Sequence, residues 1–356
     1  KQAGLHWRGG LLLSATSPGY ENNDLGFQTS ADRLVSQVYT VYAETRPGKV
    51  FRHYGFNPGM RAEWNFGGNR VNAYPYFNVF GQLLNYWTGS IYVARGLPTL
   101  DDRLTWGGPL AKQLPYTTLS GFLQSDPRKA VTLNMSVFSV EREDGGRDRS
   151  VGPSVTMRPA SNWNVSLGPR WTYRNATAQY VATIVDPPAK ATFGRRYVFA
   201  DLEQQMLSLD TRLGVTFSPR LTLELYAQPF IASGDYGTLK ELRGPRTFEF
   251  NRYGREVGTV SYNDTTQLYR IDPDAGGPAG SFAVRNRDFN LRSLRGNAVL
   301  RWEWRPGSTL YVAWQQLRSD FMGGIGNFDF GRDAGRLFQA QPDNIFLIKV
   351  NYWLNP

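Results

Sequence analysis

Seven charged residues carry the first suggestion of chemistry in this chain. Arg170, Arg174, Asp210, Arg212, Glu224, Arg301 and Glu303 each occupy one parity of a stretch whose other parity is apolar. An extended chain turns successive side chains to opposite faces, so these charges share a polar face. A face carrying both signs can line a water-filled passage and select solutes by charge. It can also be a self-satisfied network in which opposite charges on neighbouring strands pair. Arg212 and Glu224, for example, are expected as diagonal neighbours across one hairpin. Pairing is the commoner fate of such charges, and the mixed signs argue against strong ion selectivity.

A second group lies within 232–287, which reads as one long connection, a gate or plug over a bore. Connections of this length are unusual without a role. It holds Tyr236, Phe248, Phe250, Tyr253, Tyr262 and Tyr269, interleaved with Arg243, Arg246, Arg252 and Arg255. Aromatic faces beside planar cations suit contact with glycans or peptides. The competing reading is that these rings pack the small core of the loop itself. Strand-like pieces at Thr247–Arg252 and Glu256–Tyr262 predict a hairpin folded over the mouth or into the bore.

Other chemistries find little support. The chain has no Cys and only two His, His6 and His53. Thiolate sites are therefore excluded, and a histidine-based zinc site is not expected. Gly-x-Ser-x-Gly is absent, and no nucleophile, base and orienting group stand in register. Asp272–Asp274 and Asp329–Asp333 lack the spacing of a calcium loop and read as turns. Gly323–Gly326 does not open a βαβ helix, so it is no dinucleotide fingerprint. No cofactor is implied. The net charge is +10, but no basic run or motif points to nucleic acid. Arg outnumbers Lys heavily, which suits phosphate-bearing partners such as lipopolysaccharide.

The elements that must hold these residues are strands. In Asn344–Pro356, Phe346, Ile348, Val350, Tyr352 and Leu354 fall on one face, and Leu347, Lys349, Asn351 and Trp353 on the other. In Met206–Phe217, Leu207, Leu209, Leu213, Val215 and Phe217 share one face with Asp210 and Arg212 opposite. Leu221, Leu223 and Leu225 then continue the apolar face. Keeping that face through Ser218–Arg220 and Pro306–Ser308 requires odd turns, and three residues are expected. Fourteen strands are predicted over 2–14, 28–45, 49–66, 70–82, 85–96, 115–125, 129–142, 148–158, 162–183, 195–217, 221–231, 288–305, 309–319 and 343–355. Asp333–Gln341 is the one stretch with a helical turn. Short turns alternate with long loops, many strands exceed the soluble norm, and Trp163, Phe217 and Trp304 sit by short turns on the apolar face. The mean hydropathy of −0.43 permits a barrel, because every second residue can be polar. The reading is an all-β, antiparallel transmembrane β-barrel with short periplasmic turns and long extracellular loops. A soluble antiparallel sheet with one wet face is the alternative.

Longer strings are distinctive. They are NAVLRWEWRPGSTLYVAWQQ (Asn297–Gln316), GRRYVFADLEQQMLSLDTRLGVTFSPRLTLELYAQPFIASGDY (Gly194–Tyr236), FNRYG (Phe250–Gly254), DPDAGGPAGSF (Asp272–Phe282), the closing DNIFLIKVNYW and NDLGFQTSADR (Asn23–Arg33). Together they resemble the DUF5916 outer-membrane β-barrel family, in which the barrel follows a family-9-like carbohydrate-binding domain. The resemblance implies an integral outer-membrane location and places this chain as the C-terminal portion of a larger barrel protein. It brings no established chemistry with it. The expected function is uptake or surface handling of glycans or other polymer fragments. A non-transporting anchor for a carbohydrate-binding domain is the second expectation, and a barrel-embedded hydrolase the third. Expected partners are outer-membrane lipid and lipopolysaccharide, a glycan ligand, and the barrel assembly machinery, which would read the apolar edge at Phe346 and Tyr352.

Overall fold

Strand succeeds strand along the whole chain in the computed structural model, which describes residues 2–3, 6–24, 26–28 and 30–354. Predicted structure at Lys1, Gly4, Leu5, Leu25, Thr29, Asn355 and Pro356 lies outside the described residues. The order begins with β1 (Gln2–Ala3), β2 (Trp7–Thr16), β3 (Arg33–Glu44), β4 (Phe51–Trp64), β5 (Arg70–Leu83) and β6 (Thr88–Gly96). A small hairpin, β7 (Thr99–Asp101) and β8 (Ala111–Gln113), precedes β9 (Tyr116–Gln124), β10 (Val131–Arg142) and β11 (Arg147–Met157). Three very long strands follow: β12 (Trp163–Val185), β13 (Arg195–Ser218) and β14 (Leu221–Leu242). Then come β15 (Phe250–Arg252), β16 (Thr259–Asn263), β17 (Leu268–Asp272) and β18 (Phe282–Arg285). The chain finishes with β19 (Phe289–Arg305), β20 (Ser308–Gly323), α1 (Phe330–Gln339) and β21 (Asp343–Asn351).

One antiparallel sheet runs β1-β2-β3-β4-β5-β6-β9-β10-β11-β12-β13-β14-β19-β20-β21, with β15 paired onto β14. Every neighbour on this path is the next long strand in sequence, the up-and-down order that short connections enforce. β16-β17-β18 and β7-β8 form separate small sheets. Among the described residues no pairing joins β21 to β1 or β2, so the sheet of this chain keeps two free edges. No helix of the described residues is long and apolar enough to cross a membrane.

The predicted alternation becomes a register. Trp163 pairs with Val215, Val215 with Leu223, Leu223 with Leu300, Leu300 with Val312 and Val312 with Ile348. That is one unbroken apolar row across six strands. The next row toward the long-loop end is Met157, Val165, Leu213, Leu225, Ala298, Trp314 and Phe346. Between the two, on the opposite face, Asn164, Gly214, Glu224, Val299, Ala313 and Leu347 align. The turns keep this in phase. At β19–β20, Glu303 faces Thr309 and Arg305 faces Ser308, with a one-residue slip between them. Gly307 has φ +78°. A left-handed glycine with a bulge is how a three-residue hairpin holds its parity. β13–β14 shows the same slip between Thr216 and Ser218.

At the other end the sheet changes character. β12, β13 and β14 extend together, and their pairings slip between Ala176 and Gln179, Tyr180 and Ala182, and Ala200 and Leu202. Such bulges bend and twist strands. Beyond them Tyr197, Val198, Phe199 and Ala200 are all buried. Val198 and Ala200 pack with Val181, Leu239, Tyr253, Ile271 and Val284, the last two from the three-stranded sheet. Tyr197 and Phe199 pack with Leu242, Leu104, Tyr180 and Phe250. Consecutive residues buried on alternate faces mean that this part of the sheet is covered on both sides.

Most predicted strand boundaries fall within a few residues of those found. β14 departs most. It ends at Leu242 rather than Ile231, so the long connection begins at Arg243. β3 starts at Arg33 rather than residue 28, and β20 runs to Gly323. The predicted first strand is two pieces, β1 folding back on β2 through Ala3 and Trp7. The short helical turn expected at Asp333–Gln341 is the helix α1, capped by Asp329, whose side chain accepts from the Arg332 amide.

Candidate functional site

An enclosed polar space lies at the long-loop end. β9 contributes Tyr116 from its first residue, and β10 contributes Arg142 from its last. The β10–β11 turn supplies Asp144 and Gly146, and β12 supplies Arg174 and Thr177. The β7–β8 hairpin adds Asp101 and Lys112, and Phe248 closes the ring. These residues line a cavity of about 270 Å³, at the small end for ligand sites.

Its walls are fixed by hydrogen bonds. Arg142 Nη2 donates to Asp148 at 2.6 Å, and Arg174 Nε stands 3.7 Å from the other oxygen of the same carboxylate. Thr177 Oγ1 donates to Asp144, which also accepts the Gly146 amide. Tyr116 donates its hydroxyl to Asn72 at 3.2 Å. Asp101 accepts the amides of Arg103 and Leu104 and so sets the loop between β7 and β8. The loop after β14 is tied to that hairpin: Lys112 takes the Thr247 carbonyl and Arg246 takes the Leu110 carbonyl through their backbone amides. Lys112, Arg142 and Arg174 balance Asp101, Asp144 and Asp148. A neutral, hydrogen-bonding cavity with two aromatic rings suits a polyhydroxylated or zwitterionic group better than a bare ion.

The seven charges of the polar face spread along it. Arg174 reaches the cavity. Arg170 lies lower, 3.5 Å from Ser150 Oγ. Asp210 accepts from the Tyr226 hydroxyl at 3.2 Å and from Gln228 Nε2 at 2.8 Å. Arg212 lies over the Tyr226 ring at 5.3 Å, its direct cross-strand partner. Glu224 pairs with Gly214, which makes it the diagonal neighbour of Arg212 as expected. Among the described residues no ion pair joins those two. Arg301 and Glu303 approach to 3.6 Å along one strand. Among the described residues, hydrogen bonds hold Arg170 and Asp210, a ring contact holds Arg212, and ion pairs hold Arg174 with Asp148 and Arg301 with Glu303.

The six aromatics divide. Tyr236 lies within β14, against the three-stranded sheet. Phe250 packs edge-on to Phe199 and to Phe248. Tyr253 is buried and donates its hydroxyl to Glu241 at 2.8 Å. Burial, with Glu241 beside it, pushes the Tyr253 phenol well above its ordinary range. Glu241 also receives Arg196, which binds Asp186 in turn. Tyr262 and Tyr269 face each other across β16–β17, 4.5 Å between ring centres. Phe248 alone of the six lines the cavity.

Sequence reasoning missed Asp101, Lys112, Tyr116, Arg142 and Asp144. They come from the ends of separate strands and from loops, and only the strand order brings them together. Among the described residues no group of His, Asp and Glu could hold a metal ion. Asp274 instead accepts the amides of Gly277 and Ala279, and Asp333 joins Asn290 and Arg332 beneath α1.

No curated protein and no solved structure matches the chain. The family described as Domain of unknown function (DUF5916) matches residues 1–355, and the chain belongs to that family.

Proposed function

We propose that this chain is the wall of an outer-membrane β-barrel that takes up or handles glycans or other polymer fragments at the cell surface. One observation carries the membrane part: the six-strand apolar row from Trp163 to Ile348, whose side chains other than Val215 stay at least partly exposed. Bare apolar surface of this extent costs about 25 cal/mol per Å² in water and nothing comparable in hydrocarbon. The short turns would then be periplasmic and the long loops extracellular. The free edges at β1–β2 and at β21 would have to be paired to close the barrel, since open edges are not tolerated in lipid.

The glycan part rests on the cavity at the long-loop end, where balanced charges and the Tyr116 and Phe248 rings meet. Under this reading, 243–287 covers the mouth and its movement admits solute. The experiment is swelling of liposomes carrying the full-length protein. Oligosaccharide entry faster than in protein-free liposomes, and faster still when Arg243–Ala279 is replaced by a short Gly/Ser turn, supports a gated path. A folded protein that passes no oligosaccharide in either form contradicts transport.

The anchor reading has its own support. The strand tops are covered on both sides and cross-tied by Arg196, Asp186, Glu241 and Tyr253, as a permanently closed mouth would be. The loop-trimming experiment separates the two.

A further inference from the structure

The connections at the short-turn end share a chemistry that the proposed transport role does not use. Arg46 and Lys49 lie in the β3–β4 turn, Arg128 and Lys129 in the β9–β10 turn, and Arg158 begins the β11–β12 turn. Arg52 follows just inside β4. Between them the β5–β6 turn carries no charge but contributes Tyr86 and Trp87. Tyr86 is clasped: the Arg128 guanidinium lies 3.1 Å from its ring centre and that of Arg52 4.1 Å. Two cations on one ring repel each other and need an anion to settle them. Asp126 answers only one, through two hydrogen bonds to Arg128 at 2.9 and 2.7 Å. The Arg128 side chain still stays 56% exposed. Tyr86 also holds φ +69°, a backbone state that costs a residue with a side chain and collects at ligand-binding positions.

Immediately beside this cluster the apolar face forms two shallow, almost wholly apolar grooves that share Trp87 and Leu123. One runs along Val79, Ile91 and Val137, and the other along Leu133 and Val155. A groove for hydrocarbon ending at paired guanidiniums matches one ligand in shape and charge. We infer that Tyr86, Arg52 and Arg128 form a headgroup site for an anionic phospholipid of the adjacent leaflet, its acyl chains lying in the grooves beside Trp87. This rests on the membrane reading above. Planar guanidiniums grip a phosphate by two bonds each, and Trp87 sits at the level where ring and headgroup meet.

The test uses the full chain in bilayers of phosphatidylcholine containing spin-labelled phosphatidylglycerol or spin-labelled phosphatidylcholine. Each basic residue near a charged surface is worth roughly fivefold in association. The motion-restricted fraction should therefore favour phosphatidylglycerol at least fivefold. Arg52→Gln with Arg128→Gln should bring the ratio close to one, and Arg52→Lys with Arg128→Lys should keep most of it. Equal restriction of the two lipids by the wild type, or an unchanged preference in the Gln variant, overturns the site. Should the Gln variant not fold, loss of preference in the Lys variant overturns the charge argument by itself. A preference abolished by inorganic phosphate, but not by sodium chloride of equal ionic strength, would mean a site for free phosphate and would overturn the lipid assignment. A wild type that inserts in neither bilayer sinks the membrane reading instead.

Discussion

The two halves of β13 obey different rules. In Met206–Ser218 one face carries Leu207, Leu209, Leu213, Val215 and Phe217, and the other Ser208, Asp210, Arg212 and Thr216. In Tyr197–Ala200 both faces are buried. The lower half is apolar on one face, where its residues other than Val215 stay at least partly exposed, and the upper half is apolar on both faces beneath the small sheets. The same strand is therefore built for two surroundings, packed protein above and, under the proposed membrane reading, hydrocarbon below. The slips at Ala176, Tyr180 and Ala200 mark the boundary. A row facing lipid, as proposed, needs no partner, whereas a protein core needs supporting loops, and those that build the cap follow β6 and β14.

This contrast can be broken from either side. Phe199→Ala in the cap should cost about 3–5 kcal/mol, equally in detergent micelles and in bilayers, as measured by denaturant unfolding. A cost confined to bilayers would mean that the cap is not a protein core. Leu223→Arg, in the middle of the apolar row, should cost roughly 2–4 kcal/mol in bilayers and far less in detergent, where the charge reaches water. Wild-type stability in bilayers would remove the lipid-facing assignment. Tyr253→Phe deletes a buried donor while Glu241 keeps Arg196, so about 1 kcal/mol is expected, read as a small drop in the unfolding midpoint. No change would show that Arg196 alone satisfies Glu241.

The smallest effect lies at the short-turn end. The Arg128 guanidinium holds the Asp126 carboxyl down to about 2, from 3.8. A depressed carboxylate stabilises the fold fully above its unfolded value, and that contribution is lost as pH falls through the folded value. The stability gap between wild type and Asp126→Asn should thus be constant above about pH 4 and shrink from there toward pH 2. A gap that persists at pH 2 would show that Asp126 acts through its backbone contacts and not through its charge.

What could be foreseen follows the same divide. Period-two alternation exists only where the two faces meet different solvents, so Leu207–Phe217 and Phe346–Leu354 announced themselves. The top of β14, Ala232–Leu242, did not. It is covered on both sides, and Gly234, Asp235 and Gly237 resemble a loop. Gly234 is there for another reason: a Cβ at that position would lie 2.3 Å from the Phe289 ring of the next strand. Charges on the polar face were legible by parity, but their partners were not. Tyr226 and Gln228 as donors to Asp210 depend on register and rotamer. The cavity was out of reach, because Asp101, Arg142 and Phe248 meet only through the strand order. The free edges, too, belong to topology rather than to any local pattern.

The proposed lipid-facing row can be probed directly, because the chain has no Cys and takes single-site spin labels. Cysteine would be introduced one position at a time from Ala200 to Phe217 in the reconstituted protein, and collision rates with oxygen and with a water-soluble nickel chelate would be measured. A lipid-facing row gives a period of two from Met206 to Phe217, with oxygen favoured at Leu207, Leu209, Leu213 and Val215 and nickel favoured at Ser208, Asp210 and Arg212. Both reagents should be excluded at the buried Ala200. Nickel access at the Leu positions equal to that at Asp210 would contradict the lipid-facing row.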